Sequence, residues 1–336
     1  MNREIPKTDE LEEKVFSISN EESFRSIALE VYHFQYHNNP VYQRYCNALG
    51  KTPEIVKTIN QIPFLPISFF KSHDIVTTSF DPALVFKSSG TTGTATSKHL
   101  VKDAALYEKS FFTCFHRFYG PVEDYCVLGL LPSYLERGQS SLVYMVQRLI
   151  EKSGHAQSGF YLYDFEKLYA TLKELESAGK KTILIGVTYA LLDFAAQYPL
   201  SLKNNTIVME TGGMKGRKKE LTRNELYDQL KEAFGVSEIH SEYGMTELLS
   251  QGYSINGFFR TPQWMRILLR DETDPLHIID QSSTKTGVIN VIDLANLYSC
   301  SFIATEDVGK MHSDGSFEVL GRMDNSDIRG CSLMVL

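Results

Sequence analysis

"SSGTTGTATSK", residues 88–98, has Ser, Gly or Thr at nine of its eleven positions and ends on Lys98. Such small side chains cannot fill a core, so the value of the stretch lies in its backbone and its donors. Gly90 and Gly93 let the chain curl with its N–H groups pointing inward, as in an anion-binding nest. Ser88, Ser89, Thr91 and Thr92 add hydroxyl donors, and Lys98 adds a positive charge. The pattern GxxxxGK[ST] is absent, so this is not the usual nucleotide loop, and a flexible turn explains the same composition. The neighbouring sequence has to decide.

Outward from the loop, short apolar runs alternate with helical patterns. LVFK (84–87), CVLGLL (126–131), GFYLY (159–163), TILIG (182–186), TIVME (206–210) and SEIH (237–240) read as strands. A helix from Asp103 to Phe118 follows the loop. Asp164 caps another that ends at Gly179, and Thr222 with Glu225 forms a capping box for one that ends at Gly235. Earlier, Glu22 to Asn38 carries Phe24, Ile27, Ala28, Val31 and Phe34 on one face, and Pro40 opens a further helix. Strands separated by helices predict an α/β fold with a doubly wound, mainly parallel sheet. Ligands bind such sheets at the carboxyl ends of the strands, where a phosphate loop after LVFK would lie. After residue 255 the helical patterns fade into short β-like runs. The expected organisation is a helical segment at 1–80 packed on an α/β core at 81–254, with a smaller β-rich part at 255–336.

Composition narrows the partners. The 336 residues are 43% hydrophobic and 22% charged, with a net charge of -7, so neither nucleic acid nor an anionic membrane is the expected partner. The apolar stretch ILIGVTYALLDFAA (183–196) is too short to span a membrane and is broken by Thr188, Tyr189 and Asp193. The charged start lacks a signal-peptide core, and five cysteines without a CxxC pair make neither a disulfide framework nor a zinc site. A cytoplasmic location is expected.

Two further segments carry candidate chemistry. In "HSEYGMTE" (240–247), Tyr243 can stack on a base and Gly244 allows close approach. Met245 follows, Thr246 can donate to phosphate, and Glu247 can hold Mg2+. Taken alone, a buried tyrosine with a capping Thr and Glu reads equally well. In "TEDVGKMHSDGSFEVLGRMD" (305–324), Asp307 precedes a glycine and suits the vicinal hydroxyls of a ribose, although a plain turn residue is the simpler reading. "SDGS" reads as a hairpin turn.

In this order the three segments resemble the adenylate-forming enzymes, a group that includes acyl-CoA synthetases, firefly-type luciferases and peptide-synthetase adenylation domains. The resemblance covers most of residues 85–330. It implies that Ser88, Ser89, Gly90, Thr91, Thr92, Gly93 and Lys98 hold the phosphates of ATP. It further implies that Tyr243, Gly244, Met245 and Thr246 meet adenine and AMP, that Glu247 meets Mg2+, and that Asp307 binds ribose. "ETGGMKGR" (210–217) is similar to a glycine-containing segment beside the adenine, which implicates Gly212 and Gly213, with Lys215 or Arg217 reaching phosphate. Arg322 falls in the hinge-like GRMD.

Most members continue past that hinge into a mobile C-terminal domain carrying a catalytic lysine; this chain stops at Leu336 and is expected to lack it. "PFLPISFFKS" (63–72) and the ending "IRGCSLMVL" (328–336) are similar to the acyl-protein synthetase family of bacterial luminescence. That likeness implies activation of a fatty acid as its adenylate and transfer to a C-terminal cysteine, here Cys331, with Arg329 nearby to favour the thiolate. An inert terminal thiol is the competing reading of Cys331. Tyr134, Gly186 and Tyr189 are candidates for the acid pocket, from their places at strand ends. The partners implied are a carboxylic acid and an acceptor protein such as a reductase or carrier. Two alternatives stay open: a ligase like the phenylacetate–CoA ligases, and a non-catalytic binder of nucleotide or acyl-adenylate.

Overall fold

The structure, a computed structural model, describes residues 8–88, 96–131, 139–203, 205–212, 221–280 and 286–323. Its parallel region begins with β4 (Cys126–Leu130) and β6 (Thr182–Val187), in which every residue is buried. Near-continuous apolar strands of this kind need cover on both faces of a sheet. That cover comes from α5 (Ala104–Tyr119), α6 (Ser141–Ser153), α7 (Phe165–Ser177), α8 (Thr188–Gln197) and α9 (Arg223–Phe234). Burying Ile183, Leu184 and Ile185 contributes about 1.5–3 kcal/mol each. β5 (Gly159–Phe160), β7 (Thr206–Thr211) and β8 (His240–Tyr243) complete the parallel set, in the order β5-β4-β6-β7-β8.

The same sheet then continues antiparallel through β9 (Gly252–Ile255), β10 (Phe258–Arg260), β14 (Phe317–Arg322), β13 (Phe302–Met311), β12 (Thr286–Asp293) and β11 (Met265–Arg270). Asn256 and Gly257, with φ of 51° and 91°, make the tight turn between β9 and β10. The SDGS turn joins β13 to β14 as expected, with Gly315 at φ 80°. Hydrogen bonding is unbroken from one region to the other.

The N-terminal helices α1 (Thr8–Phe16), α2 (Glu21–Asn38) and α3 (Pro40–Ala48) lie against this sheet. Gln35, fully buried, donates to Asn296 O and Leu297 O at 3.0 and 2.9 Å. Further on, β1 (Leu65–Pro66) pairs parallel with β13, and α4 (Phe69–Ser72) follows.

Three local expectations change. The segment after 159 is a strand only at Gly159–Phe160, because Leu162 turns at φ 48° and Asp164 N bonds Tyr161 O. β8 begins at His240 rather than ending there: Val236 N is still bonded to Lys231 O, closing α9. Finally, the opening loop does not run from a strand of the main sheet into a helix. It connects β2 (Leu84–Lys87) to β3 (Lys98–Val101), an antiparallel pair that joins no other strand among the described residues. α5 starts only after Asp103, whose carboxylate caps Ala105 N at 2.8 Å. The alternation in KHLV, with His99 and Val101 buried, favours strand over direct entry into a helix.

Candidate active site

Two serines close the neck of the β2–β3 hairpin. Ser88 N donates to Ser97 O at 3.0 Å, and Ser97 N donates to Ser88 Oγ at 2.9 Å. Ser89, Gly90, Thr91, Thr92 and Gly93 lie outside the described residues. Beyond the neck, Lys98 Nζ stands 2.6 Å from Asp74, with 39% of the lysine side chain exposed. Ser97 is buried and lies near enough to the Glu247 carboxyl to favour its ionised form, so the neck of the loop approaches the acidic end of HSEYGMTE.

That second segment ends a parallel strand, which explains its exposure pattern. Tyr243 and Glu247 are 8% and 4% exposed, whereas Gly244, Met245 and Thr246 between them reach the surface. Tyr243 packs edge-on against Phe259 and Phe317, and its hydroxyl donates to Asp307 Oδ2 at 2.9 Å. Burial of Glu247 pushes its carboxyl up from its ordinary value, opposed by the nearby Ser97 hydroxyl and the positive charges of Arg322 and Lys71. Glu247 thus sits in a packed turn.

Asp307 is a strand residue rather than a turn residue. It lies in β13 directly opposite Arg322 of β14, whose Nε stands 3.2 Å from Asp307 Oδ1. The next glycine, Gly309, marks a bulge, where an added Cβ would meet Ile289 and Glu318 O at 2.7 and 2.8 Å. Burial raises the Asp307 carboxyl, against the pull of Tyr243 and Arg322. A hydrogen bond and an ion pair thus bring together Tyr243, Asp307 and Arg322, residues that the sequence offered as adenine, ribose and hinge contacts.

Gly212 follows β7 at φ 73°, and its carbonyl accepts from Thr188 Oγ1. Next to it lies an acidic pair to which the sequence analysis gave no role. Glu210 takes hydrogen bonds from Thr188 and Ser241 at 3.0 and 2.8 Å. Glu242 takes one from Thr211 at 2.5 Å, and burial pushes its carboxyl up to about 7. The place of Gly244 depends on this neighbour, since a Cβ there would stand 2.3 Å from Glu242 Oε1.

The acidic turn is anchored by residues with no motif to announce them. Asp293, fully buried, accepts from Leu249 N and Ser250 N at 2.8 and 2.9 Å. Asn296 donates to Glu247 O at 2.8 Å. His99 contacts Thr246 O and Asn296, and burial lowers the ring's pKa to about 4. The only hint in the sequence is a set of polar residues inside apolar runs, at KHLV and DLAN.

Of the acid-pocket candidates, Gly186 is the penultimate residue of β6, under α8, where a Cβ would meet Leu191 at 2.8 Å and Leu130 at 3.2 Å. Its missing side chain thus serves close packing of helix on strand. Tyr189 is 6% exposed in the first turn of α8. Tyr134, Gly213, Lys215, Arg217, Arg329 and Cys331 lie outside the described residues. Cys114 is fully buried and donates to Gln251 O at 3.3 Å, a core thiol, and His240 is buried beside the Tyr119 hydroxyl. No described helix is long and apolar enough to cross a membrane.

The fold is that of the adenylate-forming enzymes. ATP-bound MatB from Rhodopseudomonas palustris matches with a TM-score of 0.53 at 17% identity, over 74% of this chain and 49% of that one. The O-succinylbenzoate coenzyme A synthetase of Bacillus subtilis, in complex with ATP and magnesium, matches with a TM-score of 0.50 at 16% identity, over 73% and 51%. The chain spans about half the length of these solved structures. Within this class a narrower assignment holds. The family model described as acyl-protein synthetase, LuxE, matches residues 143–336, more than half of the sequence, and the chain belongs to that family. The long-chain-fatty-acid–luciferin-component ligase of Vibrio harveyi is 23% identical over 329 residues, 90% of this chain and 84% of that protein.

Proposed function

We propose that this ligase activates a fatty acid with ATP as its acyl-adenylate and transfers the acyl group to a thiol, that of Cys331. The observation that carries the reading is the join between segments recognised separately in the sequence. Ser97 at the neck of the loop lies near the Glu247 carboxyl, and the Tyr243 hydroxyl donates to Asp307. Phosphate, metal and ribose functions would then converge at the carboxyl ends of β7 and β8, where open α/β sheets bind nucleotides. The Vibrio harveyi relative is named for a long-chain fatty acid, and that acid class is carried over to this chain.

In this scheme the glycines and hydroxyls of 88–93 cradle the phosphates, with Lys98, Lys215 and Arg217 supplying charge. Gly212, Gly213 and Tyr243 through Thr246 receive the adenine and AMP, and Asp307, oriented by Tyr243 and Arg322, accepts from the ribose hydroxyls. A bound magnesium ion takes one or two carboxylates and completes its shell with phosphate oxygens and water. The buried Glu247 fits that demand, because a cation beside it would stabilise the ionised form that burial disfavours. Magnesium would offset charge on the reacting phosphate.

The steps balance without a further reactant. A carboxylate oxygen of the acid attacks the α-phosphorus, and the bond to pyrophosphate breaks. The Cys331 thiolate, its proton already lost to solvent, then attacks the acyl carbon, and AMP leaves with the bridging oxygen. From the thioester the acyl group would pass to an acceptor protein such as a reductase.

Acid-dependent ATP–pyrophosphate exchange across a panel of carboxylic acids tests the first step. Return of label to ATP with fatty acids supports it, and binding of ATP without exchange for any acid makes the chain a binder instead. Intact-mass measurement tests the second step. Wild type should gain one acyl mass and Cys331→Ser should not, while keeping its exchange activity; an acylated serine variant refutes the thioester.

A further inference from the structure

His99 has no part in the chemistry above, yet it stands where the two sides of the site meet. It is 1% exposed and follows Lys98 in the β2–β3 hairpin. No strand among the described residues pairs this hairpin with the main sheet, so other contacts must set its position against the acidic turn. The His99 ring supplies them. The ring is neutral and carries one N–H: Nδ1 donates to Thr246 O at 2.8 Å, while Nε2 lies 3.1 Å from Asn296 Oδ1, itself an acceptor, and makes no hydrogen bond to it. Asn296 cannot turn its amide around, because its Nδ2 donates to two carbonyls, Glu247 O at 2.8 Å and Cys300 O at 3.0 Å. The edge of Phe70 closes over the ring, with centroids 6.0 Å apart.

Two connections therefore run from the lysine strand to the acidic turn, and they differ in kind. Ser97 lies near the Glu247 carboxyl itself, the group a cation would compete for. His99 and Asn296 hold the main-chain carbonyls of Thr246 and Glu247, which leaves the carboxyl free to change partners. A side chain tied through its backbone keeps its place while its head group exchanges one contact for another. Preorganisation of this kind lets a site hold charge without moving at the moment of reaction.

We propose that His99 is a positioning residue, whose imidazole fastens the Thr246–Glu247 turn to the strand carrying Lys98 through Thr246 O and so fixes where the Glu247 carboxylate meets magnesium–ATP. This inference rests on the reading of Glu247 as the metal-facing carboxylate.

The test uses His99→Phe, which keeps a ring against Phe70 and removes the hydrogen bond to Thr246 O, and His99→Gln, which restores a donor. Thermal melting is measured alongside the magnesium, ATP and acid dependence of exchange. Calorimetry also gives the gain in ATP affinity on adding Mg2+ to the resting protein. For His99→Phe the half-saturating Mg2+ should rise about tenfold and the calorimetric gain should shrink, with the KM for acid within about twofold of wild type. His99→Gln should recover part of both, and if His99→Phe proves insoluble, His99→Gln should still raise half-saturating Mg2+ by about threefold. Wild-type magnesium dependence in a soluble variant overturns the inference. So does a loss that strikes magnesium, ATP and acid equally and follows the fall in melting temperature, because that is the mark of a packing residue. A wild type that binds ATP but shows no exchange overturns the adenylation reading, and this inference with it.

Discussion

The cationic and acidic sides of the site are held in opposite ways. Lys98 projects from a two-stranded hairpin, and its ammonium rests on Asp74, whose side chain is 56% exposed. An exposed pair of this kind contributes about 0–1 kcal/mol, so the lysine can leave it for a phosphate at little cost. The turn from Tyr243 to Ser250 is instead buried at both ends. The Tyr243–Asp307 hydrogen bond fastens one end, and four hydrogen bonds to Asp293 Oδ2 and Oδ1 from Leu249, Ser250 and Ala295 fasten the other. The contrast assigns different work to the two sides. The acidic side is rigid before ligand arrives, and the cationic side adapts to it.

If that contrast holds, the largest effect of a single substitution should come from the buried anchor. Asp293→Ala leaves the buried N–H groups of Leu249, Ser250 and Ala295 without their acceptor, which should remove about 3 kcal/mol or more of stability. Urea unfolding measures this, and a loss below about 1 kcal/mol would mean that the turn is not held as described.

Glu242 sharpens the account through pH. Its folded value of about 7 lies above that of an unfolded glutamate, so the protonated form is the one that folding favours. The associated stability is full below about pH 4 and is lost as pH rises through 7. Glu242→Gln keeps an acceptor for Thr211 and cannot ionise. It should match wild type near pH 4 and exceed it by about 3 kcal/mol at pH 8. Parallel pH–stability curves for the two proteins would show that Glu242 is not the group responsible.

Smaller effects should appear in nucleotide binding. Asp307→Ala removes the acceptor aimed at ribose and should weaken ATP binding by about 1.5–3 kcal/mol, while binding of 2′,3′-dideoxy-ATP changes little. Equal losses for both nucleotides would take the ribose role away from Asp307. Smallest of all, Asp74→Asn should free Lys98 and strengthen ATP binding by about twofold at low salt, with the difference fading as salt screens the pair. A tenfold change, in either direction, would mean that the cationic side is not the loosely held one.

How much of this was legible in the sequence follows the range of the interactions. The apolar run of β6, the Thr222–Glu225 capping box and the SDGS turn depend on neighbours within a few residues, and each lies where the sequence put it. The motif segments were legible as chemistry but not as geometry. HSEYGMTE ends a strand instead of following one, and Asp307 lies opposite Arg322 in a ladder instead of in a turn. His99 and Asn296 were not legible at all. They are 197 positions apart, and their contact exists only once the hairpin has packed against the loop between β12 and β13. A polar residue within an apolar run signals that a partner is needed without naming it.

Activation of the acid on the α-phosphate of ATP leaves its mark in the path of one oxygen atom. Fatty acid labelled with 18O in its carboxyl group is incubated with the protein, ATP and Mg2+ in unlabelled water, and the AMP released is weighed by mass spectrometry. If the carboxylate attacks the α-phosphorus and the thiolate then attacks the acyl carbon, each AMP carries one 18O atom from the acid. Unlabelled AMP, or ADP and phosphate in its place, would contradict the account.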